Sequence, residues 1–330
     1  MRLALALLVL LGCSGSHHDA PAEASRPQAA RHRPGSPGTP AAITDVAELP
    51  PSTFPAAARL IAIGDVHGDL DAFQSALRAA DAIDADAHWS GGGLFVVQTG
   101  DLLDRGDQER DILDFVDRVE DEASAAGGHF LVLIGNHELM NAQGDFRYVT
   151  PGGYHAFDSF AREARGPLYD AIPERARGRV VAFHPGGPYA RMLATHATIV
   201  RVGDTLFLHG GALARYVESE GIDEINDAAR AFFLGEASLS PALTAEDGPV
   251  WYRGFASGDD TEMCARLDDA LAAAHAQRMV IGHTKQPHGI SFACEGHVAR
   301  IDVGLARIYD GPIEVLEITA AGTRVISGTR

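Results

Sequence analysis

A chain of 330 residues with 46% hydrophobic and 22% charged residues has the composition of an ordinary globular protein with a sizeable core. Its formal net charge of −18 excludes a nucleic-acid backbone as the main partner, because that requires a basic face. A local phosphate-handling site stays open, since a few arginines and bound cations can set the field there.

The amino terminus reads Met1-Arg2, an uncharged run from Leu3 to Leu11, then Gly12-Cys13. That is a one-arginine n-region and an apolar segment too short to span a membrane. Leu10-Leu11-Gly12-Cys13 resembles a bacterial lipobox, in which the cysteine is diacylated and becomes the first residue; an ordinary secretory signal with an incidental cysteine is the alternative. Residues 1–13 are thus expected to be a signal segment. Residues 14–57, made of Ser, Gly, Ala, Pro and Arg with few large apolar side chains, are expected to be a flexible stalk. The expectation is an exported protein, periplasmic or in the outer membrane, that meets a membrane only through lipid on Cys13. Cys264 and Cys294 remain as an even pair. In an oxidising compartment they suggest a disulfide, with two separately buried thiols as the alternative.

The folded part is expected over residues 58–328. Three short apolar runs, Leu60–Ile63, Leu94–Thr99 and Phe130–Ile134, fit strands buried on both faces. Leu70, Phe73 and Leu77 share one helical face between the first two runs, and Ile112, Val116 and Val119 share another between the next two. The order is β-α-β-α-β, which predicts a parallel sheet with right-handed crossovers. The carboxyl ends of such strands share one edge, where ligands bind. The runs end in Gly64-Asp65-Val66-His67-Gly68-Asp69, in Gly100-Asp101-Leu102-Leu103-Asp104-Arg105-Gly106-Asp107 and in Gly135-Asn136-His137-Glu138. Asp69 is expected to cap the first helix and Gly127-Gly128 to end the second.

An irregular insertion, residues 141–200, follows. Partly helical, for example over Tyr154 to Ala164, it is expected to cover the substrate. A strand over Thr205–Leu208 ends in His209-Gly210-Gly211. Two helices follow, one with Ile222, Ile225, Ala229 and Phe232 on a face, the other with Met263, Leu267, Leu271 and Ala274. Arg278–Ile281 ends in Gly282-His283-Thr284. Val298–Val303, Ile313–Ile318 and Thr323–Ile326 read as mostly antiparallel strands.

Asp65, His67, Asp101, Asn136, His209 and His283 all stand just after predicted strands. Mixed carboxylate, amide and imidazole ligands suit manganese, iron or zinc, with manganese placed first, and not calcium, which wants oxygen alone. Six ligands exceed what one catalytic metal with open positions accepts, and suffice for two metals sharing a carboxylate. Such a pair clamps both ends of an in-line displacement at phosphorus. His137 could then protonate the leaving oxygen with Asp104 orienting its ring, while Arg105 and Arg253 grip phosphate oxygens.

In this order the motifs Gly-Asp-x-His-Gly, Gly-Asp-x-x-Asp-Arg-Gly, Gly-Asn-His-Glu, His-Gly-Gly and Gly-His resemble those of the phosphoprotein phosphatases, binuclear metallophosphoesterases of the calcineurin-like type. The resemblance covers about Arg59 to Val303. Asn136-His137-Glu138-Leu139-Met140-Asn141, Gly144-Asp145-Phe146-Arg147-Tyr148-Val149, Trp251-Tyr252-Arg253-Gly254 and Ile301-Asp302-Val303-Gly304 look like the bacterial Shewanella-like protein phosphatase branch. The resemblance implies an α/β fold of two packed mixed sheets flanked by helices, with the insertion after the third strand. It implies one metal on Asp65, His67 and Asp101, and a second on Asp101, Asn136, His209 and His283. It also implies His137 with Asp104 as the acid pair, and Arg105 and Arg253 on phosphate.

The expected activity is phosphomonoester hydrolysis on phosphoprotein, at Ser/Thr, Tyr or both, by direct attack of a metal-bridging hydroxide. Hydrolysis of dinucleoside polyphosphates is the rival enzyme reading. A surface binding module without catalysis is the remaining one, and it predicts a missing ligand where none is missing.

Overall fold

The computed structural model of the protein describes residues 49–218 and 221–330; Cys13 and most of the expected stalk lie outside the described residues. The chain enters through β1 (Thr53–Phe54), then runs β2 (Arg59–Ile63), α1 (Leu70–Ala79), β3 (Phe95–Gln98), α2 (Glu109–Ala125) and β4 (His129–Val132). A helical insertion follows: α3 (Asn136–Ala142), α4 (Pro151–His155), α5 (Pro167–Asp170), α6 (Glu174–Phe183) and α7 (Pro188–Leu193). Strands β5 (Ile199–Val202) and β6 (Thr205–Leu208) lead to α8 (Gly221–Leu234), α9 (Pro241–Thr244) and α10 (Thr261–Ala273). The chain ends through β7 (Arg278–Ile281), β8 (Ser291–Ala293), β9 (Val298–Arg300), β10 (Glu314–Thr319) and β11 (Gly322–Ser327).

Two mixed sheets result, one in the order β11-β10-β2-β3-β4, the other β1-β5-β6-β7-β9-β8. Strands β2, β3 and β4 are parallel, with Leu60 opposite Phe95 and Phe95 opposite His129. In the second sheet β6, β7 and β9 are parallel, with Leu208 opposite Ile281 and Ile281 opposite Arg300. The period-2 alternation of side chains along a strand divides each apolar run between two cores. Leu60, Ala62, Phe95 and Val97 meet Val200, Phe207, Val280, Ala299 and Leu316 in one cluster, the layer between the sheets. Ile61, Ile63, Val96, Leu206, Met279 and Ile281 point the other way, into the cluster that holds the helices. Because both faces are buried, the runs are continuously apolar. Each fully buried Val, Leu, Ile or Phe contributes roughly 1.5–3 kcal/mol through the area it removes from water.

Local signals act as read. The Asp69 carboxylate accepts the Ala72 N–H at 3.0 Å and caps α1, and Gly127 takes a left-handed φ of 78° just past α2. Two details differ from the sequence reading. The stalk ends earlier than residue 57, because β1 pairs in parallel with β5 and Phe54 packs edge-on against Phe95 at 5.1 Å. A single Phe among Ala, Pro and Ser is too short a run to register as a strand. Near the carboxyl terminus, β10 is antiparallel to both β11 and β2, as expected, but β9 runs parallel to β7 while pairing antiparallel with β8.

Cys264 on α10 and Cys294 beyond β8 form a disulfide, Cα to Cα 5.4 Å, S–S 2.07 Å. It spans a separation of 30 residues and holds α10 to the β8–β9 turn. Closing a loop of that length restricts the unfolded chain by about 3–4 kcal/mol in the chain-entropy account. Replacing both cysteines by serine is expected to lower unfolding stability by about 3 kcal/mol. The check is urea unfolding of the double variant against wild type without reductant; coincident curves would remove this contribution.

Candidate metal centre

The residues predicted as metal ligands, acid pair and phosphate binders come to one place. Asp65 and His67 follow β2, Asp101, Asp104 and Arg105 follow β3, Asn136 and His137 open α3, His209 follows β6 and His283 follows β7. Asp65, His67, Asp101, Asp104, Asn136, His137, His209 and His283 are buried. Above them opens a cavity whose lining includes His67, Asp101, Asn136, His137, Arg105 and Arg253.

The backbone is bent to achieve this. His67, Asp101, Asp104, Arg105 and His283 all take left-handed φ values, between 47° and 71°. For residues other than glycine each such conformation costs on the order of 1 kcal/mol or more and persists only where surrounding bonds over-determine it. Those bonds are present: His67 N–H donates to Asp101 O at 2.9 Å, and His283 N–H donates to Asp65 Oδ1 at 3.0 Å. Two glycines make room for the Asp65 and Asp101 carboxylates. A Cβ on Gly282 would meet Asp65 Oδ1 at 2.3 Å, and one on Gly135 would meet Asp101 Oδ1 at 2.2 Å.

The imidazoles have defined tautomers, because a carbonyl oxygen can only accept. His67 Nδ1 donates to Leu103 O at 3.0 Å, His209 Nδ1 to Thr99 O at 2.8 Å, and His283 Nε2 to Trp251 O at 3.2 Å. Each neutral ring therefore turns its free nitrogen inward; at His209 burial favours that form, but the Asp101 charge outweighs it and raises the pKa. His209 Nε2 faces Asn136 Oδ1 at 3.0 Å, Asp101 Oδ2 at 3.2 Å and His283 Nδ1 at 3.1 Å. His67 Nε2 lies 3.7 Å from Asp101 Oδ2 and 3.8 Å from Asp65 Oδ2. Lone pairs facing lone pairs in a buried space repel unless a cation sits among them, so the donor set fits divalent metal. Two His/Asp clusters share Asp101: His67, Asp101 and His137 form one, and Asp101, His209 and His283 the other. Asp101 Oδ1 is taken by the His137 N–H at 2.9 Å, which leaves Oδ2 as the shared atom.

Protonation follows the same crowding. Burial, then the Asp302 and Asp101 charges, pushes the Asp65 carboxyl well up. Burial would raise Asp101 too, but His209 and His137 hold it well below the usual carboxylate range. Burial lowers His67 to about 4 and, aided by His209, His283 to about 2, so both rings are neutral, as metal ligation requires.

His137 is set apart from the other rings. Its Nδ1 lies 2.5 Å from Asp104 Oδ2, and its Nε2 is 3.8 Å from Asp101 Oδ2 at the cavity. Burial lowers its basicity, but Asp101 and Asp104 outweigh this and raise the pKa. At the mouth, the Arg105 guanidinium stacks over Tyr148 at 4.3 Å and reaches Tyr309 at 5.6 Å. Arg253 Nη1 donates to His283 O and Thr284 Oγ1, each at 2.8 Å.

Several residues here carried no assigned role in the sequence reading. Glu138 folds back on α3 to accept Gly135 N–H at 2.8 Å and also takes Asp101 N–H and Leu102 N–H, both at 2.9 Å. The Gly-Asn-His-Glu motif already contained it, and a Glu three residues past a helix start is a capping signal. Asp302, Lys285 and Tyr309 also line the cavity. Asp302 is buried, which pushes its carboxyl up to about 6. Glu109 and Arg179 are fully buried beside Asp104, and no motif announces either. The insertion is not simply a cover. Tyr148 reaches the mouth, while α6 lies behind Asp104.

Residues 58–287 match the Calcineurin-like phosphoesterase family. Shewanella-like protein phosphatase 2 of Arabidopsis thaliana is 38% identical over 85% of this chain and 80% of its own length. Shewanella-like protein phosphatase 1 of Plasmodium berghei is 29% identical over 75% of this chain and 67% of its own. Among solved structures, a cold-active protein-tyrosine phosphatase of a psychrophilic Shewanella superposes with a TM-score of 0.69 at 26% identity, over 85% of this chain and 83% of that one. A shared family, a shared two-sheet fold and a strand-end cluster of this composition agree: the chain belongs to the calcineurin-like phosphoesterases and, within them, to the Shewanella-like phosphatases.

Proposed function

We propose that the protein is a metal-dependent phosphomonoesterase that acts on phosphoprotein. The observation that carries this is the buried set of inward-facing imidazole nitrogens around Asp101 Oδ2, adjoining a His137–Asp104 pair and a mouth lined by Arg105 and Arg253. Asp65, His67 and Asp101 would hold one cation, and Asp101, Asn136, His209 and His283 a second. Two divalent cations bound there would supply Lewis acidity for direct attack of water on phosphorus. Arg105 and Arg253 bind the phosphoryl oxygens and orient them. Arg105 is suited to this, since its Nε is buried with no acceptor among the described residues. His137, its Nδ1–H fixed on Asp104, presents Nε2 to the cavity and protonates the leaving oxygen.

That the two relatives are protein phosphatases supports protein phosphate as the substrate, and the likeness to the Shewanella protein-tyrosine phosphatase supports phosphotyrosine in particular. Manganese suits the mixed oxygen and nitrogen donors. The disulfide supports an oxidising compartment, in keeping with export and a lipid on Cys13.

Asp101→Asn is expected to remain folded but to lose bound metal and hydrolysis of a phosphotyrosine peptide. His137→Asn is expected to keep metal and lose turnover by roughly 10²-fold or more. Elemental analysis together with phosphate release checks both; near wild-type rates in the pair would remove the assigned roles. Diadenosine tetraphosphate serves as the rival substrate, and preference for it over the peptide would move the protein to nucleotide hydrolysis. Gly282→Ala, which forces Asp65 aside, is expected to reduce metal content to about one ion per chain or less. Full occupancy in that variant would show that Asp65 tolerates the displacement.

A further inference from the structure

Behind the acid pair lies a buried ionic network centred on α6. Arg179 is fully buried, the largest such side chain among the described residues. Its Nε donates to Asn141 Oδ1 at 2.7 Å, its Nη1 to Gly153 O at 2.9 Å, and its Nη2 to Glu109 Oε1 at 2.9 Å and Asp104 Oδ1 at 3.4 Å. Nη1 also bonds the second oxygen of Glu109. The phenyl rings of Phe183 and Phe157 pack against the guanidinium at 5.0 and 5.2 Å.

Three members of this set, Arg179, Glu109 and Asn141, bond Asp104 directly. Its backbone N–H donates to Glu109 Oε1, and its Oδ1 accepts from Asn141 Nδ2 at 3.2 Å as well as from Arg179. Its Oδ2 is then left to His137 Nδ1 alone among the described residues, at 2.5 Å. Asn141 also donates to His137 O at 2.9 Å, so both members of the pair hang on one scaffold. One guanidinium faces two carboxylates, so none of the three can be removed alone without leaving a buried partner unpaired. Asp104 and Glu109 are both fully buried, and Arg179 is the guanidinium that pairs with both. A buried, fully bonded network of this kind fixes orientation, since breaking one member leaves the others unpaired.

We propose that Arg179 is a positioning residue for leaving-group protonation: reaching from the insertion, it holds Asp104 in the one orientation that fixes the His137 ring. It touches neither the cavity nor the metal ligands and acts through Asp104. The inference rests on the acid role of His137 given above.

The test is a leaving-group series, p-nitrophenyl, phenyl and benzyl phosphate, with the metal-loaded enzyme. Nitrophenolate leaves without a proton, whereas benzyl alkoxide does not, so only a defect in the acid separates the two. Because Arg179→Met alone strands two carboxylates, the variants are Arg179→Lys and the charge-balanced Arg179→Met/Glu109→Gln. In the double variant kcat is expected to fall roughly 10²-fold on benzyl phosphate. On p-nitrophenyl phosphate it should stay within roughly fivefold of wild type, with KM little changed on either. Arg179→Lys restores charge but not the fork, and is expected to recover the benzyl phosphate rate only in part. An equal loss on all three substrates, or no loss on any, would overturn the proposal. His137→Asn in the same series separates the two layers. If its loss is not selective for poor leaving groups, the acid role itself fails; if it is selective and that of the Arg179 variants is not, only this inference falls.

Discussion

Two carboxylates, three imidazoles and an amide oxygen occupy a few ångströms of protein interior, with their acceptor atoms turned towards one another around Asp101 Oδ2. Burying groups of one polarity face to face is among the most costly things a chain can do, and the usual escape is a shift in protonation. The rings answer this differently: burial keeps His67 and His283 neutral, whereas at His209 burial is outweighed by the Asp101 charge, which raises the pKa. A backbone carbonyl holds the N–H of His67, His209 and His283, so the free nitrogen must point inward. A divalent cation, or on His209 Nε2 a second proton, satisfies what remains. The left-handed residues, the glycines beneath Asp65 and Asp101 and the Glu138 brace all serve to keep this set in place.

The neighbouring His137 is handled in the opposite way. Its partner is a carboxylate and not a carbonyl, and that carboxylate is balanced by Arg179 from behind. The carboxylate partner favours the charged ring that an acid must pass through. Asp101 therefore stands between two chemistries. Its Oδ2 faces His67 and His209, while its Oδ1 accepts the backbone N–H of His137 and anchors the start of α3. A substitution at Asp101 thus disturbs the ligand set and the acid together, whereas one at Arg179 reaches only the acid.

The parts of this arrangement that were legible in the sequence share a physical feature: they are local. Continuous Val, Ile and Leu runs announce strands buried on both faces, and a strand's carboxyl end is where its next residues must emerge. Asp65, His67, Asp101, Asn136, His209 and His283 could therefore be placed at one edge without any contact information. That the sheet is in fact two sheets was not in the runs themselves, because residues 60 and 61 look equally apolar although they face different cores. It came from the resemblance. Phe54 was missed because a lone apolar residue has no period. Arg179 was missed for a different reason. Nothing near it in the chain marks a site, and its partners lie up to 75 positions away.

That last failure bears on how the fold works. An arginine in a helix whose first turn follows a proline reads as surface charge, the usual fate of arginine. It becomes buried only because the insertion folds back against the helix that starts at Glu109, so that one guanidinium meets a carboxylate from each side of the Asp104–Glu109 turn. The strands supply metal ligands through geometry that any chain with these strand ends would share. The acid pair instead depends on a segment that the strands do not dictate, joined to them through Asp104. Sequence change in the insertion can therefore alter leaving-group protonation while the metal ligands stay where the sheets put them.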